Sequence, residues 1–271
     1  MSGRNIAKIA KFCIEPLPVS LKSILADAAR PIIRNHIEKL KTPTSIVLFL
    51  TNKCNLSCSH CFYWDNLNNG KQELTLEQID KIVRSFKDAD AITLSGGEVF
   101  LRGDLLDICK LLHTKFKRLR IATNGYLTNK IIETTKKIID GCSFSEVRIQ
   151  ISLDGIRSDH DRIRRSPRSF DNAIQTITTL KELEKNRKNF SVEINVSISQ
   201  ENIQNVLGFA KDLSPLQVPI KFNPVRGQDF GVYNLDKSIA NAINPKEQVF
   251  VSLEQLESLY FQLNQLNDNS K

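Results

Sequence analysis

Between residues 45 and 224 the sequence alternates between short β-rich runs and amphipathic helical stretches. A helix that connects two strands returns the chain to the same end of the sheet, so strands joined in this way run parallel. Right-handed crossovers would curl these strands into a barrel or an open part of one. Because the pattern does not fix the strand order, an open doubly wound sheet remains the alternative. The six predicted strands are residues 46–51, 91–95, 119–123, 147–152, 192–199 and 220–223.

The predicted fold class is therefore α/β, a partial (β/α)6 TIM-like barrel of parallel strands with an N-terminal helical extension and a C-terminal helix. Two capping boxes mark helix starts, one formed by Thr75 with Gln78 and one by Ser252 with Gln255. The other core helices are predicted over residues 105–116, 129–139, 170–183 and 201–213. We divide the chain into an N-terminal extension (1–44), a βα core (45–227) and a C-terminal extension that ends in a helix (228–271).

The N-terminal extension is basic and has apolar residues at helical spacing, which predicts two amphipathic helices broken around Pro16 and Pro18. Its first 41 residues carry eight Lys or Arg against three acidic residues. Such a segment is either a solvated helical cap or a docking surface for an acidic partner or an anionic membrane. Peripheral membrane contact through this segment is therefore one of the expectations.

The composition of the whole chain is that of a folded protein, because 41% of its 271 residues are hydrophobic and 25% are charged. The longest aliphatic and aromatic run is far shorter than the ~20 residues that cross a bilayer, and no signal-peptide pattern opens the sequence. We therefore predict a cytoplasmic protein. The net charge of +8 is not accompanied by an aromatic platform or a groove-reading motif, so no nucleic-acid partner is expected.

Three cysteines, Cys54, Cys58 and Cys61, crowd into eight residues directly after the first predicted strand. Thiolates at this spacing can surround one compact metal centre, and thiolates are the ligands that iron–sulfur clusters require. Three protein ligands leave one position of the centre free, whereas structural zinc normally has four. A zinc site completed by His60 remains the alternative.

The loop Cys-x3-Cys-x2-Cys after a first strand resembles that of the radical S-adenosylmethionine (radical SAM) superfamily. The resemblance extends over residues 45–227 and implies that Cys54, Cys58 and Cys61 bind a 4Fe-4S cluster whose fourth iron is chelated by S-adenosylmethionine. In the family an aromatic residue usually stands at the position of His60, and the resemblance implies that His60 approaches the adenine.

Further motifs lie at the predicted carboxyl ends of successive strands, where a parallel barrel assembles its active site. Gly96, Gly97 and Glu98 resemble the family's Gly-Gly-Glu motif, in which two glycines allow close approach to a ligand and the glutamate accepts from its ammonium. The family usually continues with proline, and this chain has Val99. Asn124 ends the third strand, where its side chain would contact the same ligand.

The segment that starts at Ser152 and Asp154 and continues to Arg164 resembles the peptide-modifying and sulfatase-maturing branch of the family. The resemblance implies that Ser152 contacts S-adenosylmethionine, that Asp154 belongs to the same binding segment, and that Arg164 pairs with the ligand carboxylate. An apolar position near Val225 would pack against the adenine.

The implied reaction is reductive cleavage of S-adenosylmethionine to a 5'-deoxyadenosyl radical, which abstracts hydrogen from a substrate. A ribosomal peptide or protein is the expected substrate, with flavodoxin or ferredoxin as the electron donor. A small nucleotide, sugar or lipid is the alternative substrate, and a zinc-binding or degenerate recognition protein is the non-catalytic alternative. Because Cys13, Cys109 and Cys142 are isolated in sequence, we expect one cluster per chain.

Overall fold

A computed structural model describes residues 43–63, 66–70, 72–86, 89–225 and 251–268. Its six strands form one parallel sheet in the order β1-β2-β3-β4-β5-β6. The partial barrel predicted from the sequence is confirmed, and the doubly wound alternative is wrong, because a doubly wound sheet reverses its strand order. The strands are β1 (Ser45–Thr51), β2 (Ala91–Gly96), β3 (Arg118–Thr123), β4 (Glu146–Ser152), β5 (Phe190–Ile198) and β6 (Ile220–Pro224).

Seven α-helices are present in the described residues, and most of them connect successive strands. The capping box predicted at Thr75 is confirmed, since its hydroxyl accepts from the backbone N–H of Gln78 and the Gln78 side chain accepts from the Thr75 N–H. The helices are α1 (Leu76–Ser85), α2 (Leu105–Leu112), α3 (Thr128–Gly141), α4 (Arg157–Arg164), α5 (Ser169–Glu184), α6 (Val206–Asp212) and α7 (Leu253–Asp268).

Side chains alternate between two environments along each strand. In β3, Leu119 and Ile121 are buried beneath the helices, whereas Arg120 and Ala122 line a cavity on the opposite face. A parallel sheet covered on both faces would have continuous apolar strands. The alternation therefore indicates that the inner face of this sheet borders an open space and not a second hydrophobic layer.

The C-terminal helix α7 packs beside α6 and reaches the last strand. Its apolar stripe of Leu256, Leu259 and Leu263 is buried, and the Tyr260 hydroxyl donates to the carbonyl of Phe222 in β6 at 2.8 Å. Helix α7 thus provides a hydrogen-bond donor to β6, the strand at one edge of the sheet, where backbone groups would otherwise lack a partner strand.

Three helices differ from the sequence-based expectation, and the first is α2, which is predicted over residues 105–116 but ends at Leu112 and is followed by a turn. The helix predicted over residues 201–213 begins only at Val206, because the Asn202 side chain accepts from the Ser199 N–H and donates to the Ser197 carbonyl and so forms a turn. Helix α4 was not predicted at all, since its eight residues include only one aliphatic side chain, Ile163, and form no apolar stripe.

The predicted helices of residues 1–44 and the part of the C-terminal extension that precedes α7 lie largely or wholly outside the described residues. The boundaries proposed for the N-terminal and C-terminal extensions therefore remain predictions. No helix in the described part of the chain is long and apolar enough to cross a bilayer.

Candidate functional site

A cavity of about 930 Å³ opens at the carboxyl ends of the strands and extends down the inner face of the sheet. It is lined by ten of the twelve residues that the sequence predicts for the site. Glu98 and Asp154 are the two that lie outside its walls. The ten are Cys54, Cys58, His60, Cys61, Gly96, Gly97, Asn124, Ser152, Arg164 and Val225.

The three cysteines lie in the loop that follows β1, where they are half-buried and form no disulfide bond. The Asn68 side chain accepts from the Cys54 N–H at 3.0 Å, and the Ile163 carbonyl accepts from the Ser59 N–H at 2.8 Å. These bonds hold both ends of the cysteine loop, one to the segment that follows it and the other to α4. The loop therefore keeps its position at the top of the cavity without a disulfide.

Burial, together with the charges of Cys58, Glu98 and Cys61, raises the pKa of the Cys54 thiol to about 11. Burial also raises the pKa of Cys61. Such thiols stay protonated unless a cation compensates their charge, which a metal centre does. Within the described residues no three His, Cys, Asp or Glu side chains converge on a single ion. A cluster does not require this convergence, because each thiolate binds a different iron.

Gly96 and Gly97 bring the end of β2 against the start of the cysteine loop. A Cβ on Gly97 would lie 2.1 Å from the carbonyl oxygen of Lys53, and one on Gly96 would lie 2.3 Å from that of Thr51. The backbones are joined by hydrogen bonds from the Gly97 N–H to Thr51 at 2.8 Å and from the Glu98 N–H to Lys53 at 2.7 Å. The sequence predicts that the two glycines allow a ligand to approach closely. In the structure, they allow the end of β2 to approach the start of the cysteine loop.

The Glu98 carboxylate is fully buried and accepts hydrogen bonds from three groups of this chain. The donors are the Phe100 N–H at 3.1 Å, the Thr123 hydroxyl at 2.9 Å and the Asn124 N–H at 2.8 Å. Burial raises the pKa of Glu98, although these hydrogen bonds oppose the shift. In this structure Glu98 fastens the end of β2 to the end of β3, and it is not brought to the cavity wall where a ligand ammonium could reach it.

Arg164, at the end of α4, forms a buried ion pair with Asp154, in which the Nε to Oδ2 distance is 2.6 Å. Its Nη1 lies 3.5 Å from the Cys58 sulfur. Burial alone would raise the pKa of Asp154, but the charge of Arg164, together with His60, His160 and the hydrogen bond from the Ser197 N–H, outweighs burial and holds that pKa below its ordinary value. The other Asp154 oxygen accepts from the Ser197 N–H at 3.0 Å. Asp154 therefore orients Arg164, and Arg164 alone of the two lines the cavity.

His60 lies in the cavity wall with most of its ring buried, and burial lowers its pKa so that the ring is neutral. Its Nε2 is 4.0 Å from Asp154, and its buried Nδ1 has no hydrogen-bond partner among the described residues. A buried ring nitrogen without a partner is costly. A polar ligand in the cavity could provide that partner.

Asn124, Ser152 and Val225 reach the cavity from the ends of β3, β4 and β6. The Asn124 side chain is oriented by two hydrogen bonds, one donated to Asn55 in the cysteine loop and one accepted from the Tyr126 N–H, each at 2.9 Å. Val225 is buried, and its N–H donates to the Ile198 carbonyl at 2.9 Å. The predicted carboxyl-end positions are therefore gathered at one opening.

The cavity is also lined by residues that were not predicted from the sequence to belong to the site. The signal was a polar residue at every second position of strands that would otherwise be apolar. An aromatic group of Phe49, Phe62 and Tyr63 forms another part of the wall, with ring centroids 5.3 Å apart for Phe49 and Tyr63. The polar additions are Thr93, Ser95, Arg120, Thr123, Gln150, Asn195, Ser197, Lys221 and Asn223.

Comparison with known proteins adds independent information. The Fe-coproporphyrin III synthase of Methanosarcina barkeri is 27% identical over 187 residues, which cover 68% of this chain and 44% of that protein. The antilisterial bacteriocin subtilosin biosynthesis protein AlbA of Bacillus subtilis is 29% identical over 182 residues, which cover 64% of this chain and 37% of that protein. The chain thus spans less than half the length of either relative.

A solved structure supports the fold. SuiB of Streptococcus suis, crystallised bound to precursor peptide SuiA, superposes with a TM-score of 0.64 at 16% identity, over 88% of this chain and 50% of that one. The family model described as the radical SAM superfamily matches residues 48–213, which is more than half of the sequence and includes the cysteine loop. The chain belongs to the radical SAM superfamily, whose enzymes use a 4Fe-4S cluster and S-adenosylmethionine.

Proposed function

We propose that this chain cleaves S-adenosylmethionine reductively at one 4Fe-4S cluster and uses the product to abstract hydrogen from a peptide substrate. The observation that carries the proposal is the gathering of three free thiols, the Gly96-Gly97 turn and Arg164 around one cavity at the carboxyl ends of parallel strands. This is the face on which parallel barrels carry their active sites.

The donor set suits an iron–sulfur cluster. Cys54, Cys58 and Cys61 would bind it, since they are the free thiols that line the cavity among the described residues. Cys109 and Cys142 are buried apart from the cavity lining, and burial raises the pKa of both, so they serve as small apolar core residues. When bound and reduced, the cluster supplies the electron that breaks a carbon–sulfur bond of S-adenosylmethionine.

The polar groups of the cavity would hold S-adenosylmethionine. Arg164 offers a cation held in place by Asp154, which suits a carboxylate. Backbone groups at Gly96 and Gly97 and the side chains of Asn124 and Ser152 offer further polar contacts. His60 offers an unpartnered Nδ1. The apolar side chain of Val225 would pack against the adenine.

A peptide is the proposed substrate because one relative is named for the biosynthesis of the bacteriocin subtilosin and a neighbour of the same fold was crystallised with a precursor peptide. A small molecule is the second candidate, since another relative is named as a coproporphyrin synthase and the cavity volume is at the upper end of the range for small-ligand sites. A flavodoxin or ferredoxin would supply the electron.

The test is formation of 5'-deoxyadenosine by the anaerobically reconstituted chain with dithionite as reductant. The wild-type chain should bind about four irons, the content of one 4Fe-4S cluster, and form 5'-deoxyadenosine. Cys58→Ala should lose both properties. Cys142→Ala removes a buried thiol that does not line the cavity, and it is the matched control that should keep both.

Two results would contradict the proposal. One is a wild-type chain that stays free of iron after reconstitution. The other is a Cys58→Ala variant that keeps a full cluster and its activity. If 5'-deoxyadenosine forms with a porphyrin or a nucleotide and never increases with any peptide, the small-molecule candidate replaces the peptide.

A further inference from the structure

The deep part of the cavity has a charged floor lined by Arg120, Gln150 and Lys221. These residues lie two positions before Ala122, Ser152 and Asn223, which form an upper layer of the cavity lining on the same faces of the strands. At a strand rise of ~3.3 Å per residue, the floor lies about 7 Å below that layer. It is therefore separate from the groups that surround the cysteine loop.

Glu193 of β5 is buried and does not itself line the cavity, but it links the polar side chains of the floor, because both of its carboxylate oxygens accept hydrogen bonds. One carboxylate oxygen accepts from Gln150 Nε2 at 2.7 Å and from Lys221 Nζ at 3.0 Å. The other accepts from Arg148 Nη1 at 3.0 Å. Burial by itself would raise the pKa of Glu193, but Lys221, Arg120 and Arg148 outweigh it and keep the carboxylate charged.

Three cations meet only two carboxylates at the floor. Arg148 also contacts Glu146, which leaves one positive charge in excess in this group. The excess lies on Arg120, because its ion pair with Glu193 is long, with 3.5 Å between the Arg120 Nε and the Glu193 carboxylate. At that distance the Nε makes no hydrogen bond, and it is buried without another partner among the described residues.

The Arg120 guanidinium is thus a cation with free hydrogen-bonding capacity inside a cavity. Its side chain is 36% exposed, and the exposed part borders the cavity, as does that of Lys221. A guanidinium donates up to five hydrogen bonds in a fixed plane and matches a carboxylate with two of them. Partial enclosure strengthens such a pair relative to one in bulk water.

We infer that Arg120, assisted by Lys221, binds an oxyanion of the substrate at the floor of the cavity, and that for the proposed peptide substrate this group is a carboxylate of an acidic residue. The anion would neutralise the excess charge and give the guanidinium its missing acceptors. With the carboxylate fixed at the floor, the neighbouring carbons of the same residue would lie toward the cysteine loop. Arg120 would then act as a specificity determinant for the residue that is modified.

The inference rests on the proposed function for the identity of the substrate, and its test is independent of radical chemistry. The reconstituted full chain is titrated anaerobically with N-acetyl-glutamate amide, and binding is followed by ligand-detected NMR at low salt. The neutral N-acetyl-glutamine amide and inorganic phosphate are the comparison probes. Because the titration needs no turnover, a failure of S-adenosylmethionine cleavage and a failure of anion binding are separate results.

The glutamate probe should bind, the glutamine probe should bind at least about tenfold more weakly, and Arg120→Gln should weaken glutamate binding by a similar factor. Arg120→Lys keeps the charge and should retain part of the affinity. Arg118→Gln is the matched control, since Arg118 lies on the same strand, is exposed, bonds Asp90 and does not line the cavity. It should bind the probe as the wild type does.

Glu193→Gln separates recognition from mere structural support, because it removes the negative charge that competes with the ligand. It should tighten glutamate binding several-fold although it weakens the fold, as thermal unfolding would record. Equal binding of the two amide probes, or no effect of Arg120→Gln, would overturn the inference. So would weaker binding by Glu193→Gln. Binding of phosphate in preference to glutamate would reassign the floor to a phosphorylated small molecule and overturn the peptide form.

Discussion

Replacement of Gly97 by alanine tests whether the β2 turn holds the cysteine loop in place. The added Cβ would lie 2.1 Å from the Lys53 carbonyl oxygen and 3.1 Å from the Cys54 Cβ, and real Cβ contacts are essentially never shorter than 3.0 Å. The two segments must therefore separate by about 0.9 Å. The Glu98 N–H to Lys53 hydrogen bond, 2.7 Å long, would then stretch beyond the range of a normal hydrogen bond.

The magnitude follows from these two effects. Overpacking at a tight contact costs about 1–3 kcal/mol, and loss of a hydrogen bond adds about 1 kcal/mol. We expect Gly97→Ala to lower the free energy of unfolding by about 2–4 kcal/mol in urea titrations of the reconstituted chain. Because Cys54 follows Lys53 directly, the separation also moves one thiol. The iron content per chain and the rate of 5'-deoxyadenosine formation should therefore fall by a larger fraction than the free energy of unfolding.

Gly141→Ala is the matched control. A Cβ at Gly141, the last residue of α3, meets no atom within 4 Å, so the variant should be as stable as the wild type or slightly more stable. Its iron content should be unchanged. If Gly97→Ala unfolds with the wild-type midpoint and binds a full complement of iron, the assignment of the glycine turn to the cysteine loop is incorrect.

Two further variants test buried polar contacts, and a third tests an exposed helix cap. Asp154→Asn leaves Arg164 buried without its counterion and should cost about 3–5 kcal/mol in urea unfolding. Because folding depresses the pKa of Asp154, its contribution is present above about pH 4 and is lost as the pH falls through the folded-state pKa, so the two stability curves should converge in acid. Glu98→Ala removes the acceptor of three buried donors and should cost about 2–4 kcal/mol, whereas the exposed Glu77→Ala should change little in the same titration. Thr75→Ala removes a helix cap and should cost about 1 kcal/mol without loss of iron, and loss of iron would contradict a purely local role.

Most of the candidate site was predictable because its residues are local motifs. Cys54, Cys58 and Cys61 lie within one loop, and Asn124 and Ser152 end strands that the alternation of the sequence reveals. Parallel strands bring their carboxyl ends to one edge, so these residues meet there once the strands are known. Long-range pairing was not predictable. The contact of Arg164 with Asp154 depends on helix α4, which has no apolar stripe for the sequence to reveal.

Six strands, most of the helices between them and a cysteine loop at one strand end could be predicted from the sequence, because periodicity and capping act over a few residues. The contacts of the polar side chains, in contrast, are set by the three-dimensional fold. It buried Glu98 as a link between β2 and β3 and made Asp154 a support for Arg164. It also brought Arg120 of the cavity floor close to Glu193 of a separate strand. Such contacts depend on distances across the folded sheet, and spacing along the chain does not encode them.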